Sequence, residues 1–285
     1  MVKKILGYSY IYLILLLLYV PILVLIVFSF TNATYIGQWN GFSFDLYGKL
    51  FESEEIMRAI GNTVIIAVIS AICSTVLGTL GAIGAFYSKR RSRGILENIN
   101  QIPVVNAEIV MALSLVVMFV FIGNKIFGGA NLFSFWTLLI GHIVISAPFV
   151  YLNVKPKLQQ MDPSLYEAAL DLGCSPRQAL RKSVLPEILP GIFSGFMLAI
   201  TLSLDDFIVT AFTRGSGLLS GEGNIETIST LVQAKIKKGP IPPEMRPLTT
   251  IIFLIVLVVV IVISISRNKK TTVKSSRRRR MRERE

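Results

Sequence analysis

Three carboxylates stand inside apolar stretches of this sequence: Glu108, Asp205 and Asp206. A charged group in a bilayer core costs about 2.5–3.5 kcal/mol on insertion scales, so acids placed there are functional candidates. The stretches that contain them hold no Lys or Arg, and carboxylates without basic partners favour a cationic ligand. The alternative for Asp205 and Asp206 is a structural role at a helix end, with bonds to backbone or water.

Long apolar runs are the elements that would position these acids. Hydrophobic residues make up 53% of the chain, and the runs 11–30 and 247–266 contain no charged residue. About 20 such residues cross a hydrocarbon core of about 30 Å. Because a segment in lipid must satisfy its own backbone, each run is predicted to be a helix and the fold to be all-α. The six predicted spans are 9–30, 62–87, 103–122, 132–153, 190–211 and 247–266.

The spans assign a depth to each acid. Pro103 is predicted to open the third span, which puts Glu108 about 8 Å into it at 1.5 Å per residue. Asp205 and Asp206 would lie about 22 Å from the start of a continuous fifth helix. Close packing of the second span is predicted at three glycines with short spacing. These are Gly78, Gly81 and Gly84.

The distribution of Lys and Arg predicts the orientation. With a cytoplasmic amino terminus, 21 of the 29 Lys and Arg residues fall in segments on the inner side. Positive charge is enriched on the cytoplasmic side of membrane proteins, so both termini are predicted to be cytoplasmic in a multi-pass protein of the cell membrane. The basic tail 267–285 is predicted to be disordered and held near anionic lipid.

Other functions are disfavoured by what accompanies these runs. The net charge of +12 lies beside the spans and in the tail rather than on a folded face, so no nucleic-acid partner is predicted. Cys73 and Cys174 do not suggest a disulfide framework. The single histidine, His142, has no companions that would make a metal site, and is predicted to be a packed, hydrogen-bonded side chain. No nucleophile–base pair is evident, so no catalysis is predicted.

The segment 154–189 carries two helix-start signals. Ser164 with Glu167 has the spacing of a capping box, and so has Ser175 with Gln178. Gly173 separates the two, so the sequence predicts helix, glycine turn and helix, ending near residues 185–186. Several small and apolar side chains would suit docking on a partner. They are Tyr166, Ala168, Ala169, Leu170 and Leu180.

This segment resembles the EAA loop of the binding-protein-dependent ABC transporter permeases, the MetI-like family. The resemblance rests on a Glu-Ala-Ala triplet, a glycine four residues later and a closing Leu-Pro pair. The residues are Glu167, Ala168, Ala169, Gly173, Leu185 and Pro186. Ser183 departs from the aliphatic residue that is usual there. The resemblance implies that the loop docks in a cleft of an ATP-hydrolysing subunit and that Glu167 and Gly173 are central to coupling.

The same resemblance implies the assembly. This chain would pair with a homologous second permease, two copies of an ABC ATPase and an external solute-binding protein. It contains no G-x-x-x-x-G-K-[ST] stretch to hold phosphates. No cofactor is therefore predicted in this chain, and ATP with Mg²⁺ would be used by the ATPase subunit.

The sequence from Leu202 to Phe207 resembles the fifth span of the spermidine/putrescine branch of that family. The segment around Glu108 also resembles that branch. The implied cargo is a polyamine, whose ammonium groups carboxylates and aromatic faces such as Phe207 can hold. Permeases of the same family for iron, sulfate or thiamine are alternatives. An autonomous ion-coupled carrier is a further alternative, but the two halves show no repeat.

The predicted organisation has three parts. Residues 1–57 hold the first span and an outer loop, and residues 58–266 form the permease domain with its coupling loop 154–189. Residues 267–285 form the tail. Within the outer loop 214–247, a short helix is predicted over 225–237. The family resemblance implies that it lies near the docking site of the solute-binding protein. For the glycine-rich part of the loop, a mobile connector is the alternative.

Overall fold

The computed structural model describes residues 2–33, 37–129, 131–215, 225–238, 242–255 and 257–258. Every regular element in these residues is a helix, which confirms the predicted all-α fold. The helices are α1 Val2–Phe28, α2 Asp45–Glu52, α3 Glu54–Tyr87, α4 Arg90–Val105, α5 Glu108–Lys125, α6 Phe135–Gln160, α7 Ser164–Asp171, α8 Pro176–Ala179, α9 Leu185–Asp205, α10 Ile208–Thr213, α11 Ile228–Lys238 and α12 Met245–Ile255.

Five of the described helical stretches are long and apolar enough to cross a membrane. They begin in α1, α3, α5, α6 and α8, the last continuing through α9. They correspond to the first five predicted spans. The sixth, 247–266, begins in α12, and its residues beyond 258 lie outside the described part of the chain, as do the tail 267–285 and the residues 216–224.

The chain divides into two compact units, Glu55–Ala234 and the pair of segments Met1–Glu54 and Lys235–Glu285. In the first unit, α6 and α9 pack along each other around Val150. Gly195 of α9 lies so close that a Cβ there would meet the Val150 side chain at 3.1 Å. A Cβ on Gly78 of α3 would come within 2.7 Å of the Val150 Cβ, so two glycines admit one β-branched residue.

Gly78 confirms the prediction of close packing in the second span, but the other two glycines do not share its role. A Cβ on Gly81 would meet only the ring of Tyr151 at 3.8 Å, an ordinary contact. A Cβ on Gly84 would have no neighbour within 4 Å. The helical spacing therefore identified the face, and a single position on it makes the tight approach.

The third span begins later than predicted. Pro103 does not open it, because Pro103 lies in the last turn of α4. The chain leaves α4 at Asn106, whose backbone is extended, and α5 starts at Glu108. Glu108 is therefore exposed in the first turn of a helix, where a carboxylate complements the free N–H groups, and the predicted depth of about 8 Å is wrong.

The fifth span is broken where a continuous helix was predicted. α9 ends at Asp205, Asp206 is extended with ψ 123°, and α10 starts at Ile208. No Gly or Pro stands at the break. Its cause is the Asp206 carboxylate, which bonds backbone N–H groups of the next turn, as Asp side chains do at helix starts.

The start of the fifth span also differs from its prediction. The helix that follows Gly173 does not end near Leu185 and Pro186, because a π-helical turn, Leu180–Val184, carries it directly into α9. Pro186 lacks an N–H and its ring crowds the preceding turn, so a wider turn accommodates it there. From Pro176 to Asp205 the chain is thus one continuous helical stretch.

In the second unit, an aromatic cluster follows α1. Phe30 stacks on Phe42 with ring centroids 5.5 Å apart and on Tyr47 at 5.4 Å. Arg246, at the start of α12, is buried and donates to the carbonyl of Ala33 at 2.8 Å. The loop after the first span is therefore held within its own unit.

Candidate functional site

A buried chain of polar side chains crosses the break between α9 and α10. Ser70 of α3 donates to Ser203 Oγ at 3.0 Å, and Ser203 lies 2.8 Å from His142 Nδ1. On the other side, His142 Nε2 lies 3.0 Å from Thr210 Oγ1, which donates to the Asp206 carboxylate at 2.9 Å. Each of these hydroxyls and the imidazole is at most 5% exposed. The packed, hydrogen-bonded role predicted for His142 is confirmed.

Asp206 is the last residue of this hydrogen-bonded network. Its carboxylate accepts the backbone N–H of Val209 at 3.2 Å and that of Thr210 at 2.8 Å. Its own carbonyl, freed by the break, accepts the Ser229 hydroxyl of α11 at 2.7 Å. The side chain therefore acts locally, as the start signal of α10, and its Oδ2 stands 3.7 Å from His142 Nε2.

Asp205 has the opposite environment, although it is the adjacent residue. It ends α9 on the exposed face of that helix, where Ser194 and Thr201 precede it at spacings that share one side of a helix. Both of those hydroxyls are satisfied close by, since Ser194 donates to Asn153 Oδ1 and Thr201 to the carbonyl of Met197. No ion pair joins Asp205 to another described residue.

The side chains of the remaining predicted path residues take no part in this hydrogen-bonded network as described. Phe207 is half-buried at the break, directly after Asp206. Glu108 is exposed at the start of α5. What the structure brings together is the pair Asp205 and Asp206, with one carboxylate facing outward and the other directed into the bundle.

Residues 162–184, which we call the knob, form the second feature. α7 ends in a Schellman turn, in which Gly173 N–H bonds the carbonyl of Leu170 at 2.8 Å and Cys174 N–H that of Ala169 at 3.0 Å. Gly173 has φ +84° and empty space where a Cβ would be, so glycine is required there by backbone conformation and not by crowding.

The two predicted helix starts of the knob have different outcomes. The reciprocal pair Ser175 and Gln178 is confirmed, with the Ser175 N–H bonded to Gln178 Oε1 at 3.1 Å. The pairing of Ser164 with Glu167 is wrong. Asp162 takes that role by accepting the Ser164 N–H at 3.0 Å and the Ser164 hydroxyl at 2.7 Å, and these bonds lower the pKa of Asp162.

The knob presents two faces. Tyr166 and Leu180 pack on the hydrophobic core of the bundle, and Ala169 is buried, so these side chains hold the knob to its own chain. Their docking on a partner stays a prediction. The exposed face instead carries Glu167, Ala168 and, 86% exposed, Leu172. Leu185 and Pro186 are exposed in the first turn of α9.

A charged cluster between α4 and α6 was not foreseen. Glu97 Oε1 of α4 accepts from Arg93 Nε at 2.9 Å and from Lys155 Nζ of α6 at 2.9 Å. The hydrogen bonds from Arg93 and then Lys155 hold the pKa of Glu97 below its usual range. The i, i+4 spacing of Arg93 and Glu97 was visible in the sequence, but the Lys155 contact depends on how α4 folds against α6.

These features can be compared with known proteins. Residues 74–268 match the family model described as "Binding-protein-dependent transport system inner membrane component". The chain belongs to this family. Membership confirms the resemblance found in the loop 154–189 and makes the chain a multi-pass permease subunit of an ABC importer.

Two solved structures share the fold of this family member. One is a bacterial ABC transporter involved in the import of the acidic polysaccharide alginate, with a TM-score of 0.69, 20% identity, and coverage of 91% of this chain and 93% of the other. An amino acid ABC transporter crystallised with histidines gives a TM-score of 0.51 at 17% identity, covering 77% of this chain and 93% of the other. At these identities the likeness concerns the fold alone.

Curated relatives are more similar in sequence. The spermidine/putrescine transport system permease protein PotC of Haemophilus influenzae is 32% identical over 224 residues, which are 79% of this chain and 81% of that protein. The putrescine transport system permease protein PotI of Escherichia coli is 32% identical over 228 residues, covering 79% of this chain and 78% of that protein.

Proposed function

We propose that this ABC importer permease carries polyamines and forms half of their translocation path. The observation that carries the proposal is Asp205, a carboxylate on the exposed face of a membrane-length helix. An ionised carboxylate in contact with lipid is costly, so such a face belongs against another subunit or a water-filled path. A homologous second permease on that face would complete the path.

The chemistry of the cargo follows from the charge on this face. α9 contains no Lys or Arg, so a bound cation would find Asp205 without a competing positive group on that helix. Phe207, two residues further on, offers an aromatic ring that attracts ammonium groups. The matching relatives are permeases for putrescine and spermidine by name. Together these support a flexible cation with two or more ammonium groups as the solute.

The knob is proposed as the coupling site. Its exposed surface, with Glu167, Ala168 and Leu172, stands clear of the bundle, while Tyr166 fixes the other side to α3. The π-helical turn joins the knob to α9 without a flexible linker, so a push on the knob would move the helix that bears Asp205. We assign the push to two copies of an ABC ATPase that use ATP with Mg²⁺, with the knob and both termini in the cytoplasm and a solute-binding protein outside.

Uptake by the assembled importer tests the cargo. Radiolabelled putrescine, spermidine and sulfate are offered to cells that produce this chain with its transport partners. We expect uptake of both amines but not of sulfate, and about a tenfold higher KM for the amines in Asp205→Asn, which corresponds to about 1.4 kcal/mol. Glu52→Gln removes an exposed acid outside the spans and is the matched control. Sulfate uptake, or no uptake of either amine, would refute the cargo. Amine uptake unaltered in Asp205→Asn would refute the place of Asp205 in the path.

Charge reversal on the knob tests the coupling. Glu167→Arg is expected to leave the chain inserted and assembled but to abolish solute-stimulated ATP hydrolysis and uptake together. Glu52→Arg makes the same charge change away from the knob and should keep both activities. Normal uptake by Glu167→Arg would show that the ATPase does not grip this surface.

A further inference from the structure

In the hydrogen-bonded network at the break, Asp206 determines which group donates and which accepts at each contact. Thr210 Oγ1 has a single hydrogen and lies 2.9 Å from a carboxylate oxygen of Asp206, which can only accept. Thr210 therefore accepts from His142, so the imidazole carries its proton on Nε2. Nδ1 is then an acceptor, and Ser203 donates to it.

Ser203 accepts in turn from Ser70, which completes the order. A neutral imidazole with a defined tautomer thus donates towards Asp206 and accepts from α9. Each hydroxyl hydrogen in this order has an acceptor, so the buried network is satisfied. Ser70 also has the Ala67 carbonyl at 3.2 Å, and Thr210 has the Asp206 carbonyl at 3.4 Å.

His142 stands at the centre of this order and contacts both sides of the break. Ser203 is two residues before Asp205 on α9, and Thr210 is on α10. Between them, residues 206–207 are not helical, so no backbone hydrogen-bond ladder fixes the angle between the two helices. Among the described side chains, His142 is the one that hydrogen-bonds to hydroxyls of both helices.

We propose that His142 is a positioning residue for solute uptake, which sets the direction in which α9 presents the Asp205 carboxylate. The proposal rests on the assignment of Asp205 to the solute path. The two adjacent acids face opposite ways: Thr210 and the α10 backbone bond Asp206 within the bundle, while Asp205 lies on the exposed face of α9. His142 itself is buried and does not touch the solute.

A displacement of the Asp205 carboxylate would weaken solute binding by a measurable factor. At an effective dielectric constant of about 20, moving a charge pair from about 4 to about 6 Å weakens binding by about tenfold. Substitution of a positioning residue should therefore raise the KM of a polyamine more than it lowers the maximal rate. This effect should be seen only while Asp205 is present.

The experiment is a double-mutant cycle on putrescine uptake by the assembled importer. His142→Gln keeps a polar group near Nε2, and Thr210→Val cuts the next link with little change of shape, so an effect does not depend on one variant folding. Each is made alone and with Asp205→Asn. We expect each alone to raise KM about tenfold, and to add less than about twofold in the Asp205→Asn background.

Thr79→Val is the matched control, because the Thr79 hydroxyl is buried in α3 without a hydrogen-bond partner among the described residues. It should leave KM unchanged. If His142→Gln and Thr210→Val keep their full effect in the Asp205→Asn background, or leave KM unchanged, His142 does not act through Asp205. If Asp205→Asn alone is without effect, the assignment of Asp205 fails, and the positioning proposal fails with it.

Discussion

The ring of Tyr87, at the end of α3, lies against the ring of Tyr166 in α7, with centroids 5.1 Å apart and planes inclined by 48°. The contact joins the knob to a membrane-length helix distant in sequence. With the π-helical turn into α9, it gives the knob two attachments to the bundle. A force applied to the exposed face of α7 would therefore reach α3 as well as α9.

We predict that Tyr87 and Tyr166 are energetically coupled. Tyr87→Ala, Tyr166→Ala and the double variant are compared by thermal unfolding of the purified protein in detergent. Aromatic pairs contribute about 0.5–1.5 kcal/mol beyond the area they bury, so the double variant should lose less than the two single losses together. Tyr166→Phe keeps the ring and is the control. Strictly additive losses would mean that the contact stabilises nothing of its own.

We predict that the effect of each substitution at Gly173 depends only on how well the new residue adopts the backbone conformation of that position. Its φ of +84° disfavours residues with a Cβ by about 1–2 kcal/mol, less for Asn, and no neighbouring atom opposes a side chain. The expected order of uptake is Gly173, then Gly173→Asn, then Gly173→Ala, with Gly173→Val lowest. Amide hydrogen exchange at Cys174, whose N–H closes the turn, should accelerate in the same order. Equal exchange in the Asn and Val variants would contradict this.

The knob was the most predictable part of the molecule because its signals are local. Gly173 and the pair Ser175 and Gln178 act within one turn. The structure has the predicted turn at Gly173 and the predicted helix start at Ser175. The short helix in the outer loop is confirmed as α11, beginning three residues later than predicted. Local competition still caused one error, since Asp162 rather than Ser164 accepts the hydrogen bonds at the start of α7.

The hydrogen-bonded network across the break after Asp205 was not predictable from that span. Residues 190–211 read as one apolar helix, and the residues at the break include no Gly or Pro. Asp206 causes the break locally, but the network across it includes His142, which lies in another span and contacts Ser203 and Thr210 only once the helices have packed. Small polar residues inside apolar runs were the visible signal, but the sequence does not pair them.

The cluster at Glu97 predicts a pH dependence of stability. Hydrogen bonds from Arg93 and Lys155 lower the pKa of Glu97 in the folded state, so their contribution is full above the unfolded pKa of about 4.3. It decreases as pH falls below that value and is lost once pH passes the lower pKa of the folded protein. The side chain is 25% exposed, so the contribution is about 1 kcal/mol or less.

Unfolding temperatures of the native chain and Glu97→Gln, measured between pH 7 and pH 3, check this. The native chain should be the more stable at pH 7, and the difference should close as the pH falls through the lowered pKa. Glu52→Gln, at the exposed end of α2, is the control and should differ little from the native chain at pH 7. A difference that persists unchanged to pH 3 would assign the role of Glu97 to packing instead of charge.

Gly78 and Gly84 provide a matched pair for the packing of α3. A Cβ on Gly78 would stand 2.7 Å from the carbonyl oxygen of Ala147 and 2.7 Å from the Val150 Cβ, so α6 must shift to admit it. Gly78→Ala should destabilise the protein by about 1–3 kcal/mol, as overpacking does. Gly84→Ala, on the same helix with nothing within 4 Å, should be neutral or stabilising by up to about 1 kcal/mol. Thermal unfolding of both variants decides the matter: equal stability would mean that α3 and α6 are not held in this close approach.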